Sequence, residues 1–398
     1  MEVYLDNSAT TMVTEGVRDK MIKVLEEDFG NPSSMHMLGV RAENYIKDGA
    51  KEFAHILKVD PKEIVFTSGG TESNNLAIIG SVMANKRRGN HIITSKIEHP
   101  SVHEPFAYLE DNGFDVSYVS VDGKGKIVKE ELYGMVREDT LLVSIMYVNN
   151  EIGAVQDIEE IIQELKKIKN DLIIHVDGVQ AFGKYRIYPK RLGIDLLSIS
   201  GHKIHGPKGT GVLYVNSKTR INPIVFGGGH QRGLRSGTEN VPGIAGIGQA
   251  AVELYTDFDE KMDRMYQLKQ HFIKEISKLE GVSFNGLTIK NDHNGEVFDM
   301  EVIKETAPHI ISVSFEGVRS EVLLHALEDR GIYVSAGSAC SSHSPKPSTT
   351  LAAIRLPKEL MESTLRFSIS DSTTREEIDY TINVINELLP MLRRYKRK

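Results

Sequence analysis

The chain of 398 residues contains a single cysteine, Cys340. That scarcity excludes an intrachain disulfide and a cysteine-cluster metal site. No apolar run approaches the roughly 18 residues that span a bilayer. The opening Met1-Glu-Val-Tyr-Leu-Asp-Asn7 has no basic region and does not read as a signal peptide. A cytoplasmic protein without membrane contact is therefore expected. Positive charge is also in deficit. With 48 Lys and Arg against 55 Asp and Glu, the formal net charge is −7, which favours solubility and disfavours a general polyanion-binding role. Internal repeats and low-complexity tracts are absent. Five of the last six residues, Arg393 to Lys398, are basic; they read as a solvated tail, and direct nucleic-acid binding is not expected.

What is present is a strand–helix alternation over the first 215 or so residues. Strands are expected at 63–67, 91–95, 116–119, 141–148, 172–176, 194–199 and 211–215, with a helix over 71–86. Ile158, Ile161, Ile162 and Leu165 carry helical spacing. Such alternation implies an α/β unit with a parallel sheet covered by helices on both faces. Its ligand would sit beyond the carboxyl ends of the strands. Beyond residue 255 the pattern becomes α+β. It has a polar helix over 257–279 and an extended polar section over 285–308. Strands follow at 310–315, 332–335 and 365–369, with a helix over 319–329. Thr374 and Glu377 form a capping box for a last helix bearing Ile378, Ile382, Ile385 and Leu389.

Chemistry is signalled first by Lys203 and Asp177, each closing a strand-like run. An amine that forms a Schiff base and a carboxylate that keeps a pyridine nitrogen protonated are what pyridoxal phosphate requires. Alone, such a lysine reads as a loop residue and such an Asp as a turn former. Ser68-Gly-Gly-Thr-Glu-Ser73 leaves a strand and opens a helix, a plausible phosphate cradle. His99, in a turn before Pro100, could stack on a flat ring or exchange protons. Gln180 could donate to the ring's phenolic oxygen. Arg366 lies inside an apolar strand, where it needs either a substrate carboxylate or a buried Asp or Glu. Cys340 sits among small and polar loop formers, Ser335 to Ser348, which points to an exposed, reactive thiol rather than a packing residue.

Ordered motifs along the whole chain resemble the PLP-dependent cysteine desulfurases, a branch of the class-V aminotransferase-like enzymes. They are Tyr4–Thr11, Phe29–His36, Thr67–Asn75, Glu98-His99, Val148–Gly153, His175–Gln180, Ser200–Ile204, Arg235–Thr238 and Gly337–Cys340. The resemblance implies a PLP fold-type-I architecture. Residues 15–255 would form a large, mostly parallel cofactor domain. Residues 1–14 and 256–398 would form a small α+β domain carrying the cysteine loop, about 335–348. It implies pyridoxal 5′-phosphate bound covalently at Lys203 and paired at its nitrogen with Asp177. His99 would stack on the ring, and Gln180 and Asn150 would serve its oxygen side. Gly70, Thr71, Ser200 and His202 would hold the phosphate, and Thr238 would reach the phosphate of the other subunit of a homodimer. Arg366, with Asn150, would bind the substrate L-cysteine. Cys340 would take its sulfur as a persulfide, leaving alanine. The loop resembles the class whose cysteine travels to a sulfur-acceptor protein, an iron–sulfur scaffold or a tRNA-thiolation enzyme. Three places depart from the family pattern: Ser370-Asp371 where Gly-Arg is common, Arg355 near a usual glycine, and His343–Pro347 in the loop. A lyase acting without Cys340 and a non-catalytic scaffold are the competing readings.

Overall fold

A computed structural model describes residues 1–292, 295–297, 299–336 and 348–394. In chain order the strands are β1 (Val3–Tyr4), β2 (Ile64–Thr67), β3 (His91–Ser95), β4 (Asp115–Val119), β5 (Thr140–Met146), β6 (Ile173–Asp177), β7 (Leu196–Ser200) and β8 (Gly211–Val215). They are followed by β9 (Val282–Phe284), β10 (Lys290–Asp292), β11 (Gly295–Val297), β12 (Ile310–Phe315), β13 (Ile332–Tyr333), β14 (Ser335–Ala336) and β15 (Thr364–Ser368).

Seven strands form one sheet in the order β2-β8-β7-β6-β5-β3-β4. All pairings are parallel except those of β8, which runs antiparallel to both β2 and β7. β8 returns from β7 through the short Lys203–Thr210 turn rather than a helix, so it must run backwards. Hydrophobic spacing does not report direction; with this one strand reversed the sheet is mostly parallel, as the resemblance implied. Alternate residues feed opposite faces. Ile64 and Phe66 join one apolar cluster with Ile145 and Val176, while Val65 joins a second with Ile92 and Leu142. Both faces are buried, which explains the near-continuous Val, Ile and Leu runs.

A four-stranded antiparallel sheet, β14-β15-β12-β9, carries the other core. Helices Phe258–Ile276 and Arg375–Arg394 contribute to its apolar cluster, where the rings of Phe272 and Phe367 lie 4.9 Å apart. The N-terminus belongs to this side: β1 pairs with β13, and Val3 and Leu5 enter the same cluster. The expected capping box is present. Thr374 N donates to Glu377 Oε2 at 2.7 Å and Glu377 N to Thr374 Oγ1 at 3.2 Å.

Several expectations shift. The helix after β2 starts at Gly70 and holds a π-helical turn, Leu76–Gly80. The section expected to be extended contains β10, β11 and a helical turn, Met300–Ile303. The run 332–335 divides into β13, on β1, and β14, on β15. Arg355 occupies the left-handed region, φ 60°, behind the helix Thr349–Ala353. Its N–H reaches Ala352 O and that of Leu356 reaches Leu351 O, a Schellman end that favours glycine. Relief of roughly 1–2 kcal/mol of left-handed strain, less about 0.5–1 for glycine's entropy, predicts that Arg355→Gly stabilises the protein by up to about 1.5 kcal/mol. Chemical denaturation checks this, and an unchanged or lower midpoint would contradict it.

Candidate active site

The carboxyl ends of β2, β3, β5, β6 and β7 meet at one edge of the large sheet, around a cavity of about 400 Å³. From β2 come Gly70 and Thr71; from β3, His99; from β5, Asn150; from β6, Asp177 and Gln180. β7 supplies Ser200, His202 and Lys203, while β15 of the second sheet brings Arg366. A larger cleft, about 830 Å³, opens around Lys166 and Asp195 and holds none of these residues. It is the smaller cavity that gathers the candidate residues.

The Lys203 Nζ donates to Ser8 O at 2.6 Å and Ala9 O at 2.7 Å. Asp177, 5% exposed, accepts from Asn74 Nδ2 at 2.9 Å and from Val179 N at 3.0 Å. A buried carboxylate held by fixed donors is a ready counter-charge for a cation above it. His99 accepts from Ser101 N at its Nδ1, 3.1 Å away, so its proton sits on Nε2. Burial lowers the His99 pKa, with Asp177 opposing and Lys203 assisting, so the ring is neutral near pH 7. His202 is likewise pushed down to about 4, by burial and then by Lys203 and Lys208.

Gly70 passes close beneath the cavity. A Cβ there would lie 2.9 Å from Val179 Cγ2 and 3.3 Å from the Ser200 Cβ, so a side chain would crowd the cradle. Gln180 Nε2 donates to Ser8 O at 2.9 Å, and its Oε1 accepts from His309 Nε2 at 3.0 Å. Both alternatives weighed for Arg366 meet at one place. The guanidinium lines the cavity and also pairs with Asp6, Nη2 to Oδ1 at 3.0 Å, while Nη1 donates to Asn150 O at 2.9 Å. Its Nε is buried without a partner among the described residues.

One expected residue does not line the cavity, and another is outside the described residues. Thr238 is exposed elsewhere on the chain, on a segment tied to the helix after β2 by Arg235 Nε and Glu72 Oε1, 2.8 Å apart. Cys340 lies outside the described residues, as do His343–Pro347 and the end of the basic tail, Tyr395–Lys398. The site also uses residues to which the sequence assigned no role. Asp6, Ser8 and Ala9 arrive from the first motif, and His309 from the start of β12. Asp371, one of the departures from the family pattern, faces His205 Nε2 at 3.2 Å and Lys261 Nζ at 3.5 Å. Against the effect of burial, the contact with His205 and the charges of Lys184 and Lys261 hold its carboxyl well below the usual carboxylate range.

Glu98, next to His99, is fully buried. Its Oε1 accepts from Ser95 Oγ at 2.5 Å and Met146 N at 3.0 Å, and burial pushes its pKa up to about 8. Between its ordinary value and about 8 the unfolded chain loses this proton and the folded one keeps it. Stability should therefore fall as pH rises through that window, by about 1.4 kcal/mol per unit at most. Glu98→Gln is expected to be more stable than the parent at pH 8 and not at pH 4.5. Denaturation at the two pH values checks this, and equal pH slopes would refute it.

The aminotransferase class-V family profile matches residues 3–381, and these matches with the cavity define a class-V aminotransferase fold. A cysteine desulfurase IscS from Dictyoglomus turgidum is 40% identical over 393 residues, covering 98% of this chain and 95% of the relative. Another, from Pectobacterium carotovorum, is 44% identical over 398 residues, covering 99% and 94%. A solved NifS-like protein superposes with a TM-score of 0.89 at 36% identity, covering 98% of this chain and all of that one. DndA from Streptomyces lividans gives 0.74 at 35%, covering 92% and 99%. The chain belongs to the cysteine desulfurase branch of the class-V aminotransferase family.

Proposed function

We propose that this protein uses pyridoxal 5′-phosphate to convert L-cysteine to L-alanine, passing the sulfur to Cys340 and then to an acceptor protein. The observation that carries the reading is the meeting of Lys203 and Asp177, from different strands, in one cavity with a glycine-opened helix start. When bound, the cofactor stores the electron pair released as the substrate Cα loses its proton.

The residues present suit that group. Lys203 would hold its aldehyde, Asp177 its ring nitrogen, and Gly70, Thr71, Ser200 and His202 its phosphate. Neutral His99 gives a flat face, and Asn150 and Gln180 a polar side. Gln180 points its Oε1 at His309, which leaves the amide N–H groups for Ser8 O and the cavity. Arg366 would bind the substrate carboxylate, adding an acceptor for the guanidinium that Asp6 and Asn150 leave incompletely bonded. The Lys203 amine, once released, takes the Cα proton. The Cys340 thiolate then attacks the substrate sulfur. An S–S bond forms, the Cβ–S bond breaks, and the pair left on Cβ takes a proton to become alanine's methyl group. Ser335 lines the cavity, and Cys340 follows it by five residues, a reach of at most about 18 Å.

The cluster that joins Val3 and Leu5 to apolar residues of 258–389 supports a small domain from 1–14 and 256–398 beside a large one over 15–255, although Ala307, Ile310, Leu351 and Ile354 pack into the large core. A homodimer is proposed as well. Thr238 is exposed and away from its own cavity, the disposition needed to serve a second copy. Among the described residues no helix is long and apolar enough to cross a membrane.

Titration with pyridoxal phosphate, followed by borohydride reduction and peptide mapping, tests the cofactor assignment. A stoichiometric yellow protein reduced irreversibly onto Lys203 is expected. Reduction onto another lysine, or no binding, would overturn it.

A further inference from the structure

The turn after β5 does more than line the cavity. Asn149 Oδ1 accepts from the N–H groups of Glu151 at 2.9 Å and Ile152 at 3.0 Å, which fixes the turn's shape. From it the Glu151 carboxylate reaches across 197 residues to Ser348, whose hydroxyl donates to Oε2 at 2.5 Å. The same Ser348 oxygen accepts from Leu351 N at 3.0 Å, so both its donor and its acceptor roles are in use. Two residues further, Asn149 Nδ2 donates to Thr350 Oγ1 at 3.3 Å. Ser348 is the first described residue after the stretch containing Cys340. The last described residues before that stretch are also tied down, because Ser335 pairs with Arg366 and Ala336 with Leu365 on β15. Arg366 in turn donates to the carbonyl of Asn150, inside the turn that bears Glu151. Both ends of the cysteine segment are thus referred to the residue that would grip the substrate carboxylate.

We propose that Glu151 is a positioning residue for sulfur transfer: through the Ser348 hydroxyl it fixes the far end of the Cys340 segment against the Arg366-bearing side of the cavity. The inference rests on the cysteine desulfurase reading above. It needs an acceptor at Oε2 rather than a charge. Burial pushes the Glu151 carboxyl upward, against hydrogen bonds from Ser348 and Thr350 and the charge of Arg366, and a neutral amide oxygen could accept the same bond.

The test compares Glu151→Ala, Glu151→Gln and Ser348→Ala with the parent, all loaded with pyridoxal phosphate. Three quantities are read: cofactor affinity, the rate of the absorbance change on adding L-cysteine, and the single-turnover rate of persulfide appearance on Cys340. Glu151→Ala and Ser348→Ala should slow persulfide formation roughly three- to tenfold, the worth of one ordinary hydrogen bond. Cofactor affinity and the absorbance change should be kept, and Glu151→Gln should recover most of the rate. Unchanged persulfide rates in both alanine variants would overturn the proposal. So would a parallel loss of cofactor affinity and thermal midpoint, which would mark a general structural role. A parent protein that forms no persulfide on Cys340 would sink the desulfurase reading itself, and is seen before any variant is compared.

Discussion

Lys203→Ala is expected to abolish alanine formation from L-cysteine, by a factor on the order of 10⁴ or more, while the chain still folds. The amine is assigned two tasks, holding the cofactor and moving the Cα proton, and no other described lysine lines the cavity. Its structural part is small. Nζ donates to the carbonyls of Ser8 and Ala9, and losing those bonds costs about 1–3 kcal/mol. Lys203→Arg should not rescue, because a guanidinium cannot give up a proton in a protein. The check is an alanine assay with circular dichroism on the same samples. Substantial alanine formation by a folded Lys203→Ala protein would remove the residue from the mechanism.

Arg366→Ala should fail in two separable ways. The side chain is 7% exposed and its partner Asp6 21%, with 3.0 Å between Nη2 and Oδ1. Removing the guanidinium leaves Asp6 largely buried with Lys203 as its remaining cationic neighbour among the described residues, which costs about 3–5 kcal/mol. Burial already raises the Asp6 pKa, and Arg366 is the main influence holding it down. The variant should therefore be most destabilised at neutral pH and less so in acid, where Asp6 is protonated. A double variant, Arg366→Ala with Asp6→Asn, should recover much of the stability. Neither should recover substrate binding. Two charge-assisted bonds to a carboxylate at about 1.5–3 kcal/mol each predict a KM for L-cysteine raised at least about 100-fold. Denaturation across pH and steady-state kinetics check the two parts. A KM unchanged in the folded double variant would show that Arg366 serves structure alone.

Much of this site was legible because parallel α/β sheets collect strand ends on one edge. Thr67, Ser95, Met146, Asp177 and Ser200 close strands that are recognisable as apolar runs, and the residues just beyond them converge. What stayed hidden depends on contacts remote in sequence. The Asp6–Arg366 pair spans 360 residues, and the bond from His309 to Gln180 spans 129. No periodicity reports such a meeting, although a buried arginine does announce that it needs some anion. The direction of β8 was hidden for a different reason, since a buried strand reads the same forwards and backwards. Glu98 shows the converse. An acid beside a candidate histidine looks like catalytic machinery, yet it is sealed in the core between Ser95 and Met146. Its burial, invisible in the sequence, makes it a structural acid.

The most direct test of the central claim is mass spectrometry of the loaded protein after brief exposure to L-cysteine, beside a Cys340→Ala variant, with alanine assayed in both. The account predicts one added sulfur on the Cys340 peptide and a collapse of alanine formation in the variant. An unmodified Cys340, with alanine formed equally by both proteins, would contradict it and leave a lyase that does not use this thiol.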